Sequence, residues 1–250
     1  MLKRIACHLL LCCAFLLFSS FSIYPIVQVF DPKGSGSTQY FQLNNESNDP
    51  IAIELVVYER KMDLDGNDEL TRADDAFNVY PTQVVLMGQE QQKVQVSWLG
   101  DSNIKQEVAF RLIAEQLPIS LQDPETEERE SKGGFRVLLR YYTALYVLPK
   151  SAKPNVVIVS IEKINEKNGQ PQLAVTLANN GTAHTVLKDF ALQLSPREDR
   201  EQKIMLVGKD IPEINRRTLL AKTQRRYILP WPQGIPYGHV QGTFSYAEQR

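Results

Sequence analysis

Phe135-Arg136-Val137-Leu138-Leu139-Arg140-Tyr141-Tyr142-Thr143-Ala144-Leu145-Tyr146-Val147-Leu148 is the longest extended stretch of this 250-residue chain. Aromatic and β-branched residues are frequent in it, and neither glycine nor proline interrupts it, so it reads as one long strand. Side chains alternate across a strand, which places Phe135, Val137, Leu139 and Tyr141 on one face. Proteins ordinarily avoid a long apolar strand at a sheet edge, because it recruits other chains. One kept in place reads as a strand meant to pair with another chain. Just before it, residues 122–134 carry Asp123, Glu125, Glu127, Glu128 and Glu130 among turn-forming and polar neighbours, and read as a solvated hairpin loop.

The same β signature recurs at residues 40–43, 51–58, 84–87, 94–98, 108–114, 156–164, 173–177, 185–194 and 226–229. Turn formers separate these runs, among them Asp31-Pro32-Lys33-Gly34, Asn48-Asp49-Pro50, Lys167-Asn168-Gly169 and Asn179-Asn180-Gly181. Many short strands at near-regular spacing predict an all-β protein built of sandwiches. Helical periodicity is weak everywhere, residues 199–205 being the best candidate. A proline-bracketed connector, residues 149–154, separates two blocks of immunoglobulin-domain size, 23–148 and 155–250.

The chain opens with Lys3 and Arg4, an apolar run from Ile5 to Phe18, and then small residues. That layout is a secretory signal, too short to span a bilayer, with a Ser-Phe-Ser cleavage site ending at Ser22. Residues 1–22 are therefore read as a leader. Cys7, Cys12 and Cys13 all lie within it, so thiol catalysis and thiolate metal sites are not expected in the exported chain. Lys and Arg number 28 against 29 Asp and Glu, a net charge of −1, which gives no bulk attraction to nucleic acid. Asp63-Leu64-Asp65-Gly66-Asn67-Asp68-Glu69 resembles a calcium loop, but its sixth position is Asp68 where glycine is required, and it reads as a polar hairpin turn. His184 and His239 stand in no ligand spacing and read as surface or turn residues. Phosphate-loop and hydrolase motifs are not found, so neither a metal nor another cofactor is expected.

Several stretches, in order, resemble the periplasmic chaperones of the chaperone–usher pathway. They are Val29-Phe30-Asp31, the Phe41-x-Leu43-x-Asn45 pattern, Val79-Tyr80-Pro81-Thr82-Gln83 with residues 88–96, residues 110–118 ending Glu115-Gln116-Leu117-Pro118, and Leu138-Leu139-Arg140-Tyr141 running to Pro149. The second block matches in size and strand content. The resemblance implies two immunoglobulin-like sandwiches in an L, and a non-enzymatic role in fimbrium biogenesis and cell wall organisation. Pilus subunits would be the cargo and an outer-membrane usher the recipient, with self-association through the donor edge as a further partner mode. Phe135, Val137, Leu139 and Tyr141 match the strand such chaperones donate to an incomplete subunit, and should face outward in the free protein. Burying these four side chains would contribute on the order of 1.5–3 kcal/mol each before ordering costs. The basic pair that holds a subunit carboxylate in the best-known branch falls at Val27 and Ala144, both uncharged. Arg111 and Arg140 are the candidate cleft anchors instead, a pattern similar to the archaic or alternative branch. Two other classes stay open: a structural or adhesive immunoglobulin-like surface protein, and a secreted glycosidase, disfavoured because no paired carboxylates lie on a strand end beside aromatic platforms.

Overall fold

The computed structural model describes residues 21–119, 137–165 and 169–249. The leader up to Ser20 with its three cysteines, the acidic stretch 122–134 and Phe135 lie outside them. Strands account for nearly all the regular structure described; Ser35–Ser37 and Gly208–Asp210 form short 3-10 turns.

One sheet runs, in spatial order, β1 (Phe21–Tyr24), β3 (Thr38–Asn45), β8 (Gln91–Trp98) and β6 (Phe77–Tyr80). Its partner runs β2 (Val27–Phe30), β10 (Arg140–Val147), β9 (Val108–Gln116), β4 (Ile51–Met62) and β5 (Asp68–Arg72), with β7 (Gln83–Leu86) also on β4. Alternation decides which side chains enter the core between them. Phe41 and Leu43 of β3 and Val94 and Val96 of β8 point in, while Gln42 and Gln95 stay outside. Phe30, Phe77, Trp98 and Phe110 meet edge-on or tilted at 5.1–5.7 Å between centroids, filling one end of that core.

The second sandwich pairs a sheet of β11 (Val156–Asn165), β12 (Pro171–Asn179) and β16 (Gln224–Pro230) with one centred on β13 (Thr185–Pro196). β13 is flanked by β14 (Ile204–Val207) and β15 (Thr218–Leu219) on one side and by β17 (Val240–Gln249) on the other. The first core draws on residues from Phe21 to Val147 and the second on residues from Leu173 to Val240.

Three expectations change. Residues 199–205 contain no helix; Ile204 and Met205 instead open β14, where Ile204 and Leu206 pack on the second core. Phe21 and Ser22, assigned by sequence to the leader, are the first residues of β1, and Phe21 is 1% exposed. His184 is neither a surface nor a solvated turn residue. It is 3% exposed, its Nδ1 lies 2.7 Å from the Glu107 carboxylate, and its ring stacks on Tyr146 at 3.7 Å. That contact joins the two sandwiches, beside a small apolar cluster of Met62, Ala109, Ala144, Tyr146 and Leu220. The connector is tied down as well. Ala152 is buried, and Thr182 N–H donates to the Lys153 carbonyl at 2.7 Å.

Candidate functional site

β10 is two half-strands with different surroundings. Ala144 to Val147 lie between β2, parallel, and β9, antiparallel. Among the described residues, Arg140 to Thr143 pair with β9 alone, because β2 begins at Val27, opposite Ala144. Pro25 causes this: it ends β1 in the other sheet, and Ile26 first reaches β10 by accepting a bond from Ala144 N–H at 2.8 Å. The edge of β10 on the β2 side is therefore open from Thr143 back to Arg140. Ahead of it, Val137–Leu139 continue outside regular strand, held by Gln116 N–H donating to the Leu139 carbonyl at 2.9 Å.

The alternating face runs from the core into solvent. Leu145 and Val147 are fully buried, Leu139 and Tyr141 are half-buried against the first core, and Val137 is 54% exposed. Tyr141 meets Phe21 edge-to-face at 4.8 Å. The outward-facing set expected from sequence is thus divided. Leu139 and Tyr141 serve the protein's own core, because their parity is that of Leu145 and Val147. Val137 projects beyond it, and Phe135 lies outside the described residues. On the opposite face Leu138 and Tyr142 are exposed, and further along Val27 and Val29 of β2, in register with Ala144 and Tyr146, are exposed too.

Val27 and Ala144 sit directly opposite each other, in one row with Arg111 and Tyr58 across the sheet. Arg111 is engaged: its Nε and Nη2 donate to Asp68 Oδ2 at 2.8 and 2.7 Å. The other Asp68 oxygen accepts from Arg60 Nε at 2.7 Å, and Arg60 Nη1 donates to the Tyr146 hydroxyl at 3.2 Å. Burial pushes the Tyr146 hydroxyl pKa up, with the Arg60 and Arg111 charges opposing. Arg140 pairs with Glu115, its cross-strand neighbour, and that bond, ahead of one to Tyr142, raises its pKa further. Four residues of strand, about 13 Å, separate the Arg111 and Arg140 rows, so the structure does not bring the two candidate anchors together. Sequence reasoning missed Arg60, Asp68, Tyr146, Glu107 and His184. Only the charge of Arg60 within the long apolar-rich β4, and of Glu107 immediately ahead of β9, could have flagged any of them.

The arrangement offers an open backbone edge, an apolar row leading off it, and a charge-neutralised cluster behind. Such an edge adds strands. No group of His, Cys, Asp and Glu suited to a metal ion occurs among the described residues.

Comparison with known proteins agrees with that geometry. The family model "Pili and flagellar-assembly chaperone, PapD N-terminal domain" matches residues 29–153. None of the curated proteins matches the chain. Among solved structures, a chain of the CsuC–CsuE chaperone–tip adhesion subunit pre-assembly complex, from the archaic chaperone-usher Csu pili of Acinetobacter baumannii, superposes with TM-score 0.56 at 16% identity, covering 92% of this chain and 96% of that one. The class 5 fimbriae chaperone CfaA gives 0.54 at 14% identity, covering 91% and 98%. The E. coli chaperone DraB gives 0.51 at 15% identity, covering 93% and 99%. At these identities the structures establish a common fold, and the family match does the rest: the chain belongs to the pili and flagellar-assembly chaperones.

Proposed function

We propose that this chain is an exported, non-catalytic chaperone that holds pilus subunits by lending them a strand, and passes them to an outer-membrane usher. The observation that carries the reading is the open edge of Arg140 to Thr143, continued by exposed Val137. An immunoglobulin-like subunit short of one strand presents a groove with unpaired backbone and vacant apolar pockets. This segment supplies both complements, backbone on the edge and side chains at alternate positions. Subunit folding itself drives the process, so no nucleotide is needed. The working compartment is the periplasm, and the leader ends before Phe21. A cut after Ser22 would delete a fully buried side chain from β1.

Arg111 and Arg140 already hold carboxylates, so capture of a subunit terminus by either requires exchange with Asp68 or Glu115. Main-chain pairing and the apolar row are therefore the primary contacts in this reading. The archaic-like branch suggested by uncharged Val27 and Ala144 fits this balance.

Val137→Asp tests the reading. It places a carboxylate where the subunit core must close, at about 2–3 kcal/mol or more, while touching nothing in the free protein's core. Subunits encoded in the same gene cluster, co-expressed with the variant, should no longer co-purify, and the variant's melting temperature should stay that of wild type. Full recovery of subunit with Val137→Asp would sink the donor-strand reading.

A further inference from the structure

The calcium-like segment between β4 and β5 has a different use. Its turn closes on itself: Asp63 Oδ1 accepts from Asn67 N–H at 2.8 Å, Asp63 Oδ2 from the Asn67 side-chain amide at 2.9 Å, and Gly66 N–H donates to the Asp63 carbonyl at 3.1 Å. The Asn67 side chain, then its backbone N–H, holds the Asp63 carboxyl below its ordinary pKa. Asp68, at the foot of the hairpin, is committed to Arg60 and Arg111. The stiffened tip instead reaches the second sandwich. Arg226 N–H donates to the Leu64 carbonyl at 2.6 Å, and Arg226 Nη2 pairs with Asp65 at 2.8 Å. Gly66, at φ +86°, lies so close to the preceding residue of β16 that a Cβ there would collide with the Arg225 guanidinium. The Arg225 guanidinium lies between this glycine and the Tyr227 ring, 5.2 Å from the ring centroid.

We propose that the tip of the β4–β5 hairpin is a clasp that fixes the angle between the two domains. Glu107 and His184 make one interdomain contact; the clasp makes a second on β16, and two separated contacts restrain a rotation that one leaves free. The ion pair is solvent-exposed and contributes little alone. Backbone pairing and the glycine–guanidinium approach carry the clasp. Because its foot holds Asp68, the hairpin also links β16 of the second domain to the arginine pair beside β10.

The test uses spin labels on Ser102→Cys and Glu198→Cys in the exported protein, whose residues from Phe21 onward contain no native cysteine. Replacing residues 63–67 by Asn-Gly keeps the hairpin with a two-residue turn and removes the tip. The interdomain distance distribution, narrow in the parent, should broaden about twofold. An unchanged distribution in a folded shortened protein would overturn the clasp. Should the shortened protein not fold, Arg226→Pro decides: on the edge strand β16 it removes the N–H that pairs with the Leu64 carbonyl together with the ion pair, which frees the tip and broadens the distribution, and an unchanged width again overturns the proposal. None of these outcomes depends on subunit binding.

Discussion

His184 and Glu107 are 77 positions apart and meet at 2.7 Å with almost no solvent around them. Glu107 accepts twice from this one residue, from its ring nitrogen and from its backbone N–H at 3.1 Å. Removing the imidazole strands a buried carboxylate oxygen, whereas removing both side chains leaves only the backbone N–H of residue 184 without its acceptor. His184→Leu should therefore destabilise the protein by about 2–3 kcal/mol in urea unfolding. Adding Glu107→Leu to it should recover part of that loss. A single variant as stable as wild type would show that the pair contributes nothing. Arg111 teaches the same lesson from the other side. Its charge makes it look like a free anchor, yet Asp68 satisfies it from β5, on the far side of β4.

Among the elements, β1 and β10 depend on each other. Phe21 packs against Tyr141, so the first described residues of the chain brace the strand that carries the open edge. Deleting Phe21 and Ser22 should cost about 3 kcal/mol, in the range of lost buried aromatics. Intact-mass analysis of periplasmic protein should correspondingly find a terminus at or before Phe21. A mature chain starting at Ile23 with undiminished stability would contradict this role for β1. The same packing separates the two ends of the alternating row Val137, Leu139, Tyr141. Leu139→Asp should destabilise the free chaperone through its own core, unlike the Val137→Asp change at the row's solvent end.

At the scale of the molecule, two cores are joined by a connector that is short, turned and hydrogen-bonded. Ala152 N–H closes a turn on the Pro149 carbonyl at 3.0 Å, and the Lys153 carbonyl accepts from Thr182. Proteases need several residues of extended chain, which this turn withholds although Lys150 itself is exposed. Trypsin should thus cut at Arg129 or Lys132, within the acid-rich segment, before it cuts at Lys150. Mass mapping of early fragments checks this. First cleavage at Lys150 would mean that the connector opens independently of the domains.

Local pattern was enough for most strands, since apolar and polar residues alternate at period two wherever one face is covered: Phe41 and Leu43, Val94 and Val96. It also picked out residues 135–148, and the parity of Phe135, Val137, Leu139 and Tyr141. Alternation says which side chains share a face, but not what covers it. Whether Leu139 and Tyr141 lie on their own core or await a partner depends on where β2 and β1 end, and Pro25 determines that through sheet pairing. The partners of Arg60, Arg111 and Glu107 were invisible for a related reason. Asp68 meets Arg60 across one hairpin, but it reaches Arg111, and His184 reaches Glu107, only after segments far apart in sequence are in register. The sequence alone also places every cysteine before Phe18, so no thiol occurs from Phe21 onward. The Asp63–Asn67 turn was legible as a turn from its own residues; that it grips the second domain follows from the angle at which two separately folded sandwiches meet, and no local pattern encodes that angle.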